Sequence, residues 1–319
     1  MKKNITYNGL RIWLAAAILS VLTACGGGGG GGGSSDNVAS PAPSPSKSVS
    51  GSASKGPLDG ATIRMYEINA DGSIGTDTTV TTTTDANGNF TLDFTNHSAD
   101  GLLHLLQASD GSYKDESDQE GVREIAISGV ILEAILPDDA STIAITPYTN
   151  ALYLKSLREA AEFSNFEEVY SRNQDRAETA YGFDIVTTIP ADPISPGSAG
   201  EDEKRYALLL GGAAVAMNNI AIHLGHPQTN AEIIQAFIED LSDGAVDGYV
   251  NDSVVEADDS TLYPTPIPNI NLTREIERFR NNNQAAYGTL LTDIDTDTLG
   301  VDGGGLVWDD GDWDEARWQ

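Results

Sequence analysis

Alternation of period two marks the first half of the chain. Ala61, Ile63 and Met65 alternate with Thr62, Arg64 and Tyr66, and Phe90, Leu92 and Phe94 alternate with Thr91, Asp93 and Thr95. This is the pattern of half-buried strands. Turn residues punctuate the runs: Lys55-Gly56-Pro57, Asp59-Gly60, Asp71-Gly72 and Asp85-Ala86-Asn87-Gly88. Glycine supplies positive φ there, and Asp or Asn bonds its own backbone. Thr76 to Thr84 is β-branched and polar, a strand wetted on one side. Residues 48–137 therefore predict a small antiparallel β-sandwich.

The period then changes. Thr146-Pro147 predicts a helix start, with Thr as N-cap and Pro in the first turn, and Ala151, Leu154, Leu157 and Ala161 continue at helical spacing. Three capping boxes predict further starts: Ser164 with Glu167, Ser198 with Glu201, and Thr229 with Glu232. Tyr206 to Met217 is apolar all round and predicts a buried central helix, too short a run to span a bilayer. Gly211-Gly212 lowers its helix propensity but admits a close neighbour. Ile233, Ile234, Phe237 and Leu241 predict one face of the next helix, 251–269 an irregular loop, and 273–287 a last helix. The fold class expected is α+β: an N-terminal antiparallel β-sandwich at 48–137 followed by a helical domain at 138–290.

The N-terminus reads as an export signal. Lys2, Lys3 and Arg11 flank an apolar stretch from Trp13 to Leu22, which ends in Leu22-Thr23-Ala24-Cys25. That ending resembles the lipobox of bacterial lipoproteins, in which residues 1–24 would be cut away and the Cys25 thiol would carry diacylglycerol. The only Cys of the chain stands at that place. Lipidation would also account for an unpaired thiol in an oxidising compartment. Gly26 follows Cys25 where an Asp would favour inner-membrane retention, so the resemblance implies the outer membrane, on its periplasmic or its cell-surface face. Residues 25–47 form a tether: eight glycines from Gly26 to Gly33, then Ser, Pro and Ala. The coil estimate gives the segment from Gly26 to Lys47 a reach of roughly 26 Å.

Two longer segments carry a second resemblance. Gly51 to Ile63, with Lys55-Gly56-Pro57-Leu58-Asp59-Gly60-Ala61, and Thr84-Asp85-Ala86-Asn87-Gly88-Asn89-Phe90 are similar to the carboxypeptidase regulatory-like, or transthyretin-like, domain. The second segment matches that family's hairpin. The resemblance covers about 90 residues and implies an accessory β-sandwich module, not a peptidase. The wider arrangement, through Gly111-Ser112-Tyr113-Lys114-Asp115-Glu116 and Ile145-Thr146-Pro147-Tyr148-Thr149, resembles a group of bacterial lipoproteins of mostly unknown function.

Charge narrows the partners. Among 319 residues, 18 are Lys or Arg and 48 are Asp or Glu, a formal net charge of −30. Loss of residues 1–24 removes three cations and no acids, which gives −33. Such a polyanion repels nucleic acid, and docking on anionic lipid through a basic patch is equally disfavoured. One Cys excludes a disulfide scaffold and multi-Cys zinc sites.

Candidate chemistry is sparse. His223 and His226 stand three apart where a helix ends, either a metal pair or imidazoles favoured by the helix C-terminus. Ser52-Ala53-Ser54-Lys55 matches S-x-x-K, but in a strand and turn where Lys is not aimed at Ser. There is no G-x-S-x-G, H-E-x-x-H, P-loop or dinucleotide fingerprint. In residues 291–319, Asp293, Asp295, Asp297 and Asp302 alternate as oxygen ligands of Ca²⁺ do, although Thr298 and Gly304 stand where an EF-hand needs Gly and Glu. The alternative is a solvated acidic loop. Trp308, Trp313 and Trp318 recur every five residues among carboxylates. They are either a ligand platform or a seal on the protein's own core. The sequence thus predicts no cofactor other than Ca²⁺ and no enzyme. It predicts a lipid-anchored outer-membrane protein for ligand binding, adhesion or envelope architecture, with a carbohydrate or protein ligand. The alternative is a surface hydrolase or an accessory subunit of one.

Overall fold

The computed structural model describes residues 46–95, 103–118, 124–126, 129–163, 165–244, 246–250, 253–263 and 272–290. Nine strands precede the helices: β1 (Ser46–Ala53), β2 (Thr62–Ile68), β3 (Ile74–Thr83), β4 (Asn89–Thr95), β5 (His104–Ser109), β6 (Ser112–Lys114), β7 (Glu124–Ala126), β8 (Ile131–Leu136) and β9 (Thr142–Ile145). Then come α1 (Pro147–Phe163), α2 (Phe166–Tyr181), α3 (Glu201–His223) and α4 (Ala231–Leu241). Four two-residue strands follow, β10 (Tyr249–Val250), β11 (Ser253–Val254), β12 (Glu256–Ala257) and β13 (Ser260–Thr261), and the described part closes with α5 (Leu272–Asn282) and α6 (Gln284–Tyr287). The fold is mixed α+β with several sheets and six helices among the described residues.

The larger sheet runs β3-β2-β5-β8, antiparallel throughout. A second sheet runs β4-β1-β9, with β1 antiparallel to β4 and parallel to β9. The alternation expected of β2 and β4 holds: Ala61, Ile63, Met65, Phe90, Leu92 and Phe94 are all buried. Phe90 lies across Gly51, its register partner, where a Cβ would sit 2.2 Å from the ring. Two features depart from the pattern. The Thr84–Phe90 segment is not a hairpin, because β3 and β4 belong to different sheets and the chain crosses between them there. The strand β9 lies beyond residue 137 and completes the sheet begun by β1. In β3, bulges offset the register with β2, and the Thr78 and Thr81 hydroxyls donate to the Met65 and Ile63 carbonyls at 2.7 and 2.8 Å.

Helices begin near the expected places but on different caps. Thr146 Oγ1 accepts from the Tyr148 and Thr149 amides, both at 3.2 Å, so this cap is as expected. At α2 the cap is Asn165, accepting from Glu168 N at 3.3 Å, and the expected Ser164 lies outside the described residues. At α3 the N-cap is Gly200, two residues beyond Ser198, and the Glu203 carboxylate accepts from its amide at 2.7 Å. At α4 Asn230 caps Ile233 N at 2.9 Å, while Thr229 is buried beside it. Adjacent short polar residues compete for one N-cap, and Asn is preferred to Thr. The face expected of α1 is also shifted. Ala161 is exposed and Leu154 and Leu157 are half-buried, whereas Tyr148, Leu152 and Tyr153 are fully covered, because α1 is packed by β8, α2 and α4 together.

Tyr206 to Met217 is buried along its whole length inside α3. The helix of 23 residues is long and apolar enough to cross a membrane by composition, yet 78% of its apolar window is covered by the rest of the protein. Gly211 and Gly212 bring α5 against it, since Cβ atoms there would stand 2.3 Å from Phe279 and 2.2 Å from Ile276. Part of the expected loop at 251–269 is ordered: β12 and β13 pair around Asp258-Asp259, both at positive φ as a two-residue hairpin turn requires. The described residues belong to one compact unit that starts at Ser44, and one apolar cluster runs through its sheets and helices.

Candidate functional site

Two turns and a strand pair build one cleft. Gly88 closes the Asp85–Asn89 turn at φ 77°, where a Cβ would meet the Ala53 carbonyl at 2.6 Å; Asp85 Oδ1 accepts from the Asn87 and Asn89 amides at 2.8 and 2.9 Å. Asp192 Oδ1 accepts from Ile194 N and Ser195 N at 2.8 and 3.3 Å and fixes the approach to α3. The third wall is the β6–β7 pair, tied back to the β1–β2 connection by Asp59 N to Ser112 O at 2.7 Å and Ser112 N to Asp59 O at 3.0 Å. Between these walls lies a cleft of about 360 Å³. Asp59, Asn87, Ser112, Glu116, Glu124, Asp192 and Ser195 line it with polar groups, and Lys114 is the one cation of the lining. Ser112 Oγ donates to Glu124 Oε1 at 2.5 Å and holds that carboxylate at the rim.

Behind this lining sits a buried ion pair. Lys55 Nζ lies 3.3 Å from Glu116 Oε2, and both side chains are 1% exposed. The Lys55 ammonium stands 4.4 Å from the centroid of the Tyr113 ring, a cation–π contact out of water. Glu116 Oε1 finds no hydrogen-bond partner among the described residues. Gly56 makes the approach feasible, because a Cβ there would stand 2.9 Å from the Glu116 carboxyl carbon and from Oε1. Burial by itself would lower the Lys55 pKa, but Glu116, Tyr113 and Asp115 together hold it above the ordinary lysine value. Burial raises Glu116 above the usual carboxylate range, against the pull of Lys55. It raises the Tyr113 phenol as well.

A second buried carboxylate is built differently. Asp240, in the last turn of α4, accepts from Gly248 N at 2.7 Å and Asp247 N at 3.3 Å through Oδ1, and from the Tyr263 hydroxyl at 2.9 Å through Oδ2. Burial, helped by Asp247 and Asp243, pushes it up to about 8 against those three donors. It ties β10 and the 263 region to α4 and stands apart from the cleft's lining.

The expected site residues are scattered. Cys25, the carboxylates Asp293, Asp295, Asp297 and Asp302, and Trp308, Trp313 and Trp318 all lie outside the described residues. His226 Nε2 meets Asp258 Oδ2 at 2.9 Å, a contact to the β12–β13 turn. Among the described residues no group of three or more His, Cys, Asp or Glu could hold a metal ion. Ser52 and Lys55 are both buried, Ser52 in β1 and Lys55 in the turn after it, and the partner of Lys55 is Glu116. Tyr113 and Glu116 were not legible as a site. The available signal was a lone Lys set among small and apolar residues, which has no solvated face to occupy. No family model, curated protein or solved structure matches the chain.

Proposed function

We propose that the chain is a non-catalytic lipoprotein of the outer membrane that binds a ligand in the cleft between the Asp85–Asn89 turn, β6–β7 and the Asp192–Ser195 turn. The strands up to β9 are read as a carboxypeptidase regulatory-like β-sandwich, and the helices as a domain packed on it. Lipid on Cys25 and the glycine-rich tether would hold this body at the membrane, and its net charge would keep it off anionic headgroups.

The observation that carries the binding reading is the lining of the cleft: three carboxylates not paired behind it, Asp59, Glu124 and Asp192, against one cation, Lys114. The Ile194 and Ser195 amides hold Asp192, and the Ser112 hydroxyl holds Glu124, before any ligand arrives, which lowers the ordering cost of binding. A ligand matching that lining brings hydroxyl donors and positive charge, as an amine-bearing oligosaccharide does. Calorimetric titration of the full chain with glucosamine oligomers, and with their fully N-acetylated counterparts, tests this. Binding of the amine form, weakened about tenfold in Asp192→Asn, is expected. Failure to bind the amine oligomers, or equal affinity for both forms, overturns the cleft reading.

Calcium belongs to the same proposal as a ligand of Asp293, Asp295, Asp297 and Asp302. A specific site raises the unfolding midpoint with millimolar Ca²⁺ and not with NaCl at matched ionic strength, and Asp295→Asn reduces that rise. Equal shifts in both salts would make the tail a solvated acidic face.

A further inference from the structure

We propose that Lys55 and Glu116 become joined by an intramolecular amide bond, Lys55 Nζ to Glu116 Cδ, inside the folded protein. The two side chains are 61 residues apart in sequence, in contact at 3.3 Å, and almost wholly buried. The contact is longer than the 2.7–2.9 Å typical of a charge-assisted pair, and Glu116 Oε1 is left without a hydrogen bond. As an ion pair this arrangement is poorly satisfied. As a pair of reactants it is held in contact by the fold, and well-oriented intramolecular groups reach effective concentrations on the order of 10⁵–10⁸ M.

Reaction begins with transfer of one proton from Nζ to the Glu116 carboxylate, which burial raises above the usual carboxylate range. Tyr113 and Asp115 oppose this step by holding the ammonium, and its product is a neutral amine facing a neutral acid. The Nζ lone pair then attacks Cδ and the N–C bond forms. The bond from Cδ to the hydroxyl oxygen breaks, the leaving hydroxyl takes a second proton from nitrogen, and one water departs. No oxidant, reductant or further reactant is consumed. Glu116 also lines the cleft, which gives the departing water a route to solvent. The amide removes both buried charges, whose desolvation an ion pair must offset.

The bond would tie the turn after β1 to the segment that follows β6. The chain's single Cys leaves it no disulfide with which to close such a loop. An amide does so independently of redox conditions, and it restricts the unfolded chain as a disulfide would. This inference is independent of the identity of the cleft's ligand.

Tryptic digestion of the denatured full chain, read by mass spectrometry, tests it. The expected product is Ser48–Arg64, uncut after Lys55, joined to Asp115–Arg123, with a mass one water below the sum of the two peptides, and fragment ions that place the bond between Lys55 and Glu116. Lys55→Arg should yield the Asp115–Arg123 peptide unlinked. Recovery of wild-type Asp115–Arg123 at its free mass, with normal cleavage after Lys55, overturns the proposal, as does a bond mapped to Asp115. The wild-type digest decides the question even if a variant fails to fold.

Discussion

The wall of the cleft and the crossing of α3 with α5 are both buried, yet they exclude water by opposite means. At the crossing, Gly211 and Gly212 remove side chains so that Phe279 and Ile276 can fill the space. At the wall, Lys55 and Glu116 keep two long charged side chains and enclose them with Tyr113 and Gly56. The first arrangement is held by shape and tolerates no added volume. The second is held by the pairing of Lys55 with Glu116 and tolerates no missing partner. A packed helix pair needs only the former, whereas a polar cleft places ionisable groups at the edge of the core, where each needs a partner behind it.

The sharpest way to break this contrast is to remove one charge. Lys55→Met leaves the Glu116 carboxyl buried without its cation, and a loss of about 3–5 kcal/mol in chemical unfolding is expected. Lys55→Met with Glu116→Leu should recover the part of that loss that comes from the unpaired carboxyl, since two apolar groups of similar volume need no partners. If the double variant is as unstable as the single one, the bond between the two side chains and not their charge is what holds the wall. The corresponding test of the crossing is Gly212→Ala. Its Cβ would stand 2.2 Å from Ile276 Cγ1 and 2.8 Å from Ile276 Cα, so backbone has to move. A net loss of about 1–2 kcal/mol is expected, overpacking exceeding the gain in helix propensity. An increase in stability would mean that the helices are free to separate.

Asp240 refines the comparison, because it is a buried carboxylate held by hydrogen bonds and not by a cation. Its folded pKa, about 8, lies above the ordinary carboxylate value of the unfolded chain. The folded state therefore binds the proton more tightly. This contribution is fully present below about pH 4 and is lost as pH rises through about 8. Unfolding followed across that window should show wild-type stability falling more steeply than that of Asp240→Asn. Parallel profiles would mean that Asp240 is ionised throughout. The smallest effect concerns caps. Asn230→Ala should cost about 1 kcal/mol through the lost bond to Ile233 N. A larger effect from Thr229→Val would return the cap to Thr229.

What the sequence disclosed follows the same division. β2, β4, α3 and the face of α4 were legible because their periodicity is that of an apolar core, and the Gly211-Gly212 approach followed from residue size alone. The crossing of the chain between sheets at Thr84–Phe90 was not legible, since a Gly-containing turn looks the same whether its strands pair or part. Caps were off by one or two residues because Ser, Thr, Asn and Gly neighbour each other at each start. Glu116 escaped because, among 48 acidic residues, only three-dimensional proximity to Lys55 distinguishes it.

The proposal that this body is held at a membrane by lipid on Cys25 is tested most directly by mass spectrometry of the N-terminal peptide of the protein extracted from membranes. The expected result is a chain beginning at Cys25 and carrying a diacylglycerol on sulfur, with Cys25→Ser left unprocessed or released as a soluble protein. A wild-type chain that retains residues 1–24, or that carries an unmodified Cys25, would contradict it.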